Sequence, residues 1–317
     1  MAVHTHLSKK EILDIVSNYE IGYLVKYSGI KEGIENTNYL IQTSINKFIL
    51  TLFESRVDKS NIPFYLNLMK HTNKNGLLCP LPISDKKNKL TNIIKKKKYA
   101  IFNFIEGSTK KNWSKNDCYE VGKILGKFHK INKGFTPRAK NNYSCQSWKI
   151  IFEKCKPKIN SIISQSSNLL KNEINFVSSK WPKLLPKGII HADLFPDNVF
   201  FIKKKINGII DFYFSSYDLL VYDLAILINA WCYINGKFNH EYFKNIINGY
   251  ESFRKLNLEE KKNFNIILRG ASLRFLLTRI HDSINNSKNN FLNIKDPNEY
   301  YNILRYHIKI DDEKSYF

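Results

Sequence analysis

Ile189-Ile190-His191-Ala192-Asp193-Leu194-Phe195-Pro196-Asp197-Asn198-Val199-Phe200-Phe201, followed closely by Gly208-Ile209-Ile210-Asp211-Phe212, is the stretch on which the fold turns. In both pieces polar groups stand at the ends of apolar, β-type runs. Gly188 to Ile190 reads as a short buried strand and His191 to Asp197 as a loop that Pro196 keeps out of helix. A second strand starts at Val199 and a third at Gly208, with Lys203-Lys204-Lys205 and Asn207-Gly208 as the polar hairpin turn between them. Pairing across that turn gathers Asp193, Asn198 and Asp211. Two carboxylates and an amide oxygen are hard ligands of the kind Mg²⁺ accepts when phosphate oxygens and water complete its octahedron. In kinase chemistry a catalytic-loop Asp orients the acceptor hydroxyl, an Asn some residues on binds metal, and an Asp on the next strand binds the bridging metal. Each side chain alone is more simply a turn cap or a loop hydrogen-bond partner. The combination, His-x-Asp with Asn five residues later, an apolar strand, a turn and Ile-Ile-Asp, carries the reading of a phosphoryl-transfer site.

The chain has 317 residues, 43% hydrophobic and 14% aromatic, enough for one large core or two moderate ones. Fifty basic against 28 acidic residues give a formal charge of +22, which raises nucleic acid, anionic lipid or a polyanionic substrate as partners without choosing among them. The lysines lie in short runs, Lys86-Lys87, Lys95 to Lys98, Lys110-Lys111 and Lys203 to Lys205, where hairpin tips or loops are expected. The joint richness in Lys, Asn and Ile marks a compositional bias, and no zinc-finger spacing, RNA-binding aromatic signature or dense basic helix accompanies it. The five cysteines, Cys79, Cys118, Cys145, Cys155 and Cys232, show no close pairing or metal spacing, which implies a reducing compartment. Charged Lys9-Lys10-Glu11 precedes any apolar run that could act as a signal peptide. Leu219 to Ile234 contains Asp223 and Asn229 and falls short of the ~20 residues that a bilayer requires. A cytoplasmic protein without membrane contact is expected.

Ser8-Lys9-Lys10-Glu11 is a capping box opening a helix to about Tyr19. Short β-type runs follow at Tyr23 to Tyr27, Tyr39 to Thr43 and Lys47 to Phe53, a three-stranded antiparallel meander. Gly29 and Gly33 in its first turn could let backbone amides approach phosphates, although glycine in a hairpin is ordinarily turn chemistry. Asn61 to Asn75 is amphipathic and ends at Gly76. Leu90 to Ile94 and Tyr99 to Ile105 form another hairpin across a lysine run. Ser114 caps a helix reaching Asn132. The chain thus divides at about residue 107 into a β-rich lobe, 1–106, and a mainly helical lobe, 107–317, an α+β arrangement with a cleft between. In the second lobe Tyr217 to Tyr233 is an apolar helix carrying Asp223, read as an anchor for the catalytic loop. Leu268 to Asp282 is another helix, with Arg269, Arg274 and Arg279 among apolar neighbours; arginine there requires a carboxylate or phosphate partner, or a structural ion pair.

These residues resemble the aminoglycoside phosphotransferase and choline kinase-like small-molecule kinases, which share the protein-kinase fold. The similarity is stronger to the homoserine kinase branch, in Gly33-Ile34-Glu35-Asn36-Thr37-Asn38-Tyr39, Phe48 to Glu54, Cys79-Pro80-Leu81-Pro82, His191 to Phe201, Ile210 to Cys232, Arg269 to Arg279 and Asp296-Pro297-x-Glu299-Tyr300. The resemblance implies Asp193 as catalytic base, Asn198 and Asp211 as magnesium ligands, His191 as loop scaffold and Asp223 as its brace. It implies adenine against the backbone of Phe104, Ile105 and Glu106, and phosphates under the loop from Gly29 through Gly33 and Asn36 to Asn38. ATP, Mg²⁺ and L-homoserine are the implied ligands, and O-phospho-L-homoserine for threonine synthesis the implied product. Arg274 or Arg279 is expected on the substrate carboxylate. One departure is Thr51, at the third-strand position where kinases generally carry a phosphate-binding Lys or Arg; Lys26, Lys47 and Arg56 are candidate substitutes. Choline- or aminoglycoside-type acceptors would call for a pocket rich in Asp and Glu. A non-catalytic, basic nucleic-acid-binding protein on the same fold is opposed by the intact Asp193, Asn198 and Asp211.

Overall fold

The computed structural model describes residues 4–30, 36–54, 58–286, 295–310 and 316–317. The Ser8–Glu11 capping box forms, with Ser8 Oγ accepting from Glu11 N and Glu11 accepting from Ser8 N, and it starts helix α1, Lys9–Ser17. Next come strands β1 (Leu24–Gly29), β2 (Thr37–Thr43) and β3 (Lys47–Leu52), helix α2 (Ile62–Lys74), and strands β4 (Pro82–Ile83), β5 (Asn92–Ile94) and β6 (Lys97–Asn103). They form one antiparallel sheet in the order β1-β2-β3-β6-β4, with β5 also paired to β6. Residues on β2 and β3 alternate between buried and less buried, as a sheet with one face packed requires. The lysine run expected at a hairpin tip is divided: Lys95 and Lys96 turn the chain with φ of 48° and 63°, while Lys97 and Lys98 belong to β6.

The remainder carries α3 (Lys115–Ile131), α4 (Cys145–Cys155), α5 (Ile159–Ile162), α6 (Ser167–Lys180), α7 (Leu220–Trp231), α8 (His240–Glu251), α9 (Leu258–Lys262), α10 (Phe264–Asn286) and α11 (Pro297–Lys309). Among them lie three short hairpin-like pairs. Strand β7 (Lys187–Ile190) pairs with β10 (Ser216–Leu219), β8 (Val199–Ile202) with β9 (Lys205–Ile209), and β11 (Tyr233–Ile234) with β12 (Lys237–Phe238). The β8–β9 turn is tighter than the sequence suggests. Lys203, with φ 55°, and Lys204 make it, and Asn207 and Gly208 are strand residues. The segment Tyr217–Leu219, expected as helix, is strand because Tyr217 pairs with Ile189 and Asp218 with Gly188, so α7 starts at Leu220.

Two apolar cores result. One lies between α1 and the sheet, built on Ile12, Ile15, Tyr39, Ile41, Leu50 and Ile101. The other runs without a break from Phe53, α2 and Phe102 into the helical part around Phe128, Phe212 and Leu224. Helix α2 is therefore held by the same core that holds the loop after β7. No helix among the described residues is long and apolar enough to cross a membrane.

Candidate active site

The loop that follows β7 is fixed through its backbone. Asp223, on the first turn of α7 and 1% exposed, accepts His191 N at 2.7 Å on Oδ2 and Ala192 N at 2.8 Å on Oδ1. Its Oδ2 also takes His129 Nε2 at 3.0 Å. Burial works against the Asp223 charge, but the hydrogen bond and attraction of His129, with the backbone N–H of His191, outweigh it and hold the carboxyl below its ordinary pKa. Behind His129 the chain of contacts continues through the Tyr250 hydroxyl at 2.8 Å to Arg254 at 3.0 Å and its ion pair with Glu260 at 2.6 Å.

The carbonyls of the loop are held from other elements. Arg274 Nη1 donates to Ala192 O at 2.6 Å, Trp231 Nε1 to Leu194 O at 2.9 Å, and Asn198 Nδ2 to Asp193 O at 2.8 Å. This fixation keeps Ala192 at φ 64°, a left-handed conformation uncommon outside glycine. His191 is fully buried. Its Nε2 lies 3.1 Å from Ile210 O, which can only accept, and its Nδ1 accepts from Asp193 N at 3.3 Å. The ring is thus the neutral Nε2–H tautomer, in accord with burial that pushes its pKa down to about 4.

Asp193 projects from this frame. Burial pushes its carboxyl up to about 6, against the attraction of Arg274 and Lys295 and with some repulsion from Asp197. A carboxylate in that range is a competent base near neutral pH. Asn198 Nδ2 also donates to Asp193 Oδ2 at 3.0 Å, which leaves the amide oxygen of Asn198 as the atom able to coordinate a metal. Asp211 stands on the turn after β9 with φ 64°, tied to the loop by Ile210 N donating to Asn198 O at 3.0 Å. Asn198 and Asp211 are thereby neighbours, and an amide oxygen beside a carboxylate suits a hard divalent cation bound largely by phosphate and water. The described residues contain no cluster of three or more His, Cys, Asp or Glu that would form an all-protein metal cage.

The two arginines expected on a substrate carboxylate part company. Arg274, 3% exposed, lies beside the catalytic loop with its guanidinium 4.0 Å from the Phe275 ring centre and 5.1 Å from that of Phe214. Arg279 instead bridges to Asp296 O at 2.9 Å and Glu299 at 2.7 Å and covers the Tyr300 ring, which anchors the start of α11.

On the β-rich side, Gly29 ends β1 opposite Tyr39 and lacks a left-handed φ; Gly33 lies outside the described residues. Asn36 Oδ1 accepts Glu54 N at 3.2 Å and Asn38 Oδ1 accepts Thr51 Oγ1 at 2.7 Å, so both asparagines are latched to the end of β3. Between them Thr37 Oγ1 donates to Glu54 at 2.7 Å and accepts His4 N and Thr5 N at 2.9 and 3.0 Å. Glu54 forms an ion pair with Lys97, which sequence reading missed: the two meet only through the antiparallel register of β3 and β6. Thr51 is buried at the position where the usual kinase lysine stands, and α2, Ile-Pro-Phe-Tyr-Leu-Asn-Leu-Met-Lys-His-Thr-Asn-Lys, has no acid to serve as its glutamate. Of the candidate substitutes, Lys47 sits 3.6 Å from Glu106 and over the Phe104 ring, Lys26 lies exposed on β1, and Arg56 is outside the described residues. At the junction between lobes, Phe104 N donates to Lys47 O at 3.3 Å, Glu106 O accepts Asn207 Nδ2 at 2.9 Å, and Ile105 is buried.

A sheet lobe with two helices, a helical lobe, and a His-x-Asp loop braced by a helix Asp define a small-molecule phosphotransferase with the protein-kinase fold. Solved structures agree on the fold: an amicoumacin kinase in complex with AMP-PNP and Ca²⁺ superposes with a TM-score of 0.70 at 14% identity, over 98% of this chain and 94% of that one. The choline kinase LicA from Streptococcus pneumoniae gives 0.66 at 15% identity, over 95% and 97%. The sequence profile of the phosphotransferase enzyme family matches residues 26–256. The homoserine kinase of Rhizobium etli is 39% identical over 317 residues, covering 100% of this chain and 99% of that protein. That of Paramagnetospirillum magneticum is 40% identical over 314 residues, covering 97% and 96%. The chain belongs to the phosphotransferase enzyme family and, within it, to the homoserine kinase group.

Proposed function

We propose that the chain transfers the γ-phosphoryl group of ATP to the side-chain hydroxyl of L-homoserine, yielding O-phospho-L-homoserine and ADP. The observation that carries the choice of acceptor is the buried Arg274 guanidinium beside Asp193, held by one N–H to Ala192 O. It suits an acceptor bearing a carboxylate and repels the purely cationic acceptors of choline- or aminoglycoside-type kinases.

Asp193 orients the homoserine hydroxyl and takes its proton as the phosphoryl group is transferred. His191 and Asp223 position that carboxylate through the loop backbone. Asn198 and Asp211 would hold Mg²⁺, which when bound neutralises the charge of the β- and γ-phosphates. The transition state is loose, so most of the acceleration comes from positioning and charge. Arg274 binds the substrate carboxylate; Arg279, engaged with Glu299 and the Asp296 carbonyl, is assigned to structure. Gly29, Asn36 and Asn38 are assigned to the phosphates, and Phe104 to Glu106 to the adenine. ADP release with Mg·ATP against L-homoserine, L-serine, choline and kanamycin tests the proposal. Turnover of homoserine, reduced by about 10²-fold or more in Asp193→Asn, is expected; turnover of choline or kanamycin in its place would overturn the acceptor.

A further inference from the structure

L-Homoserine is a zwitterion, and the proposed function engages only its carboxylate. An ion pair near Asp193 has no role in that scheme. Asp197 Oδ2 and Lys295 Nζ are 2.8 Å apart, with side chains 58% and 46% exposed. Asp197 sits in the short 3-10 turn Pro196–Asn198 of the catalytic loop. Lys295 precedes Asp296, the cap of α11 whose carbonyl Arg279 holds, and its ammonium stands 4.9 Å from the Phe195 ring centre. Both charges, and that of Arg274, act on the Asp193 carboxyl, so all three lie within electrostatic reach of the reacting centre. An exposed pair of this kind contributes little to stability and exchanges partners readily.

We propose that Asp197 and Lys295 complete a clamp for the zwitterion: Asp197 takes the α-ammonium of the acceptor, and Lys295, released from it, joins Arg274 on the α-carboxylate. The inference rests on the homoserine reading. A zwitterion replaces one ion pair by two, whereas an acceptor with a single charge leaves Asp197 or Lys295 without its counterpart. Selectivity then comes from the resting pair itself, which an unmatched ligand has to break.

The test is steady-state kinetics of the wild type, Asp197→Asn, Asp197→Glu and Lys295→Met. The acceptors are L-homoserine, 3-aminopropanol, which lacks the carboxylate, and 4-hydroxybutyrate, which lacks the ammonium. An analogue that turns over too slowly is measured as a competitive inhibitor against homoserine. Asp197→Asn is expected to raise KM for homoserine about tenfold or more with kcat changed by no more than about twofold. It should lower KM for 4-hydroxybutyrate, which then has no resting pair to break, and Asp197→Glu should recover part of the loss for homoserine. Lys295→Met should weaken homoserine and, with Asp197 no longer paired, lower KM for 3-aminopropanol. Equal losses for homoserine and 4-hydroxybutyrate in Asp197→Asn, or an unchanged KM, would overturn the clamp while wild-type turnover of homoserine keeps the parent reading. Absence of wild-type turnover would overturn both.

Discussion

Asp223 holds two loop N–H groups and a histidine with one buried carboxylate, so its replacement strands donors that have no route to water. Asp223→Ala is expected to cost about 3 kcal/mol or more in urea unfolding, because buried unsatisfied donors add to a lost charged acceptor, and to lower kcat with little change in KM for ATP. His191 and His307 are the corresponding liabilities toward acid. Burial pushes their pKa values down to about 4 and about 3, while in the unfolded chain they titrate near 6.5. Between those values the unfolded state binds more protons, so stability is full above pH ~6.5 and declines as pH falls toward 4. Urea midpoints measured across that range should decrease with acidification, and His307→Gln should flatten the slope. Thr51 makes the reverse case. A lysine introduced there would enter a buried site and lose the hydroxyl's bond to Asn38, so Thr51→Lys is expected to lower the melting temperature, read by circular dichroism, and not to raise ATP affinity.

Helices α3 and α8 cross where Gly122 meets the Ile246 carbonyl and Gly249 meets that of Tyr119, so closely that a Cβ at either position would overlap an oxygen. Gly122→Ala is expected to destabilise by roughly 1–3 kcal/mol through forced separation of the pair. Gly134→Ala, at φ 81° in open space, meets only the backbone penalty of about 1 kcal/mol. Denaturant midpoints of the two variants separate packing from conformation. The same distinction explains which elements were legible in the sequence. The capping box at Ser8, the N-cap at Ser114 and the meander from Leu24 to Leu52 follow from local chemistry and were readable. The start of α7 was not, because Tyr217 and Asp218 become strand only by pairing with β7. The β8–β9 turn is shorter than the sequence suggests for a related reason: Asn207-Gly208 has turn chemistry, but β8 pairs Phe200 with Gly208 and confines the reversal to Lys203 and Lys204. At the site, Asp193, Asn198 and Asp211 were visible as a spaced motif, whereas Lys97 and Lys295 carried no local signal.

The core that begins at Phe53 and α2 and ends among the C-terminal helices predicts that the two lobes unfold together. All four tryptophans, Trp113, Trp148, Trp181 and Trp231, lie after the sheet. Tryptophan fluorescence therefore reports the helical lobe, while far-ultraviolet circular dichroism reports both. Coincident urea transitions by the two probes are expected, and a sheet lobe melting ahead of the helices would separate them. The amino-terminal residues enter this picture through Thr5, which donates to Glu54 at 2.7 Å while Thr37 takes the His4 and Thr5 amides. That arrangement is a tether between the leading peptide and the segment assigned to ATP. A purification tag or fusion partner joined ahead of His4 would pull on the two amides that bind the Thr37 hydroxyl, so the choice of which terminus to extend is itself a perturbation of nucleotide affinity.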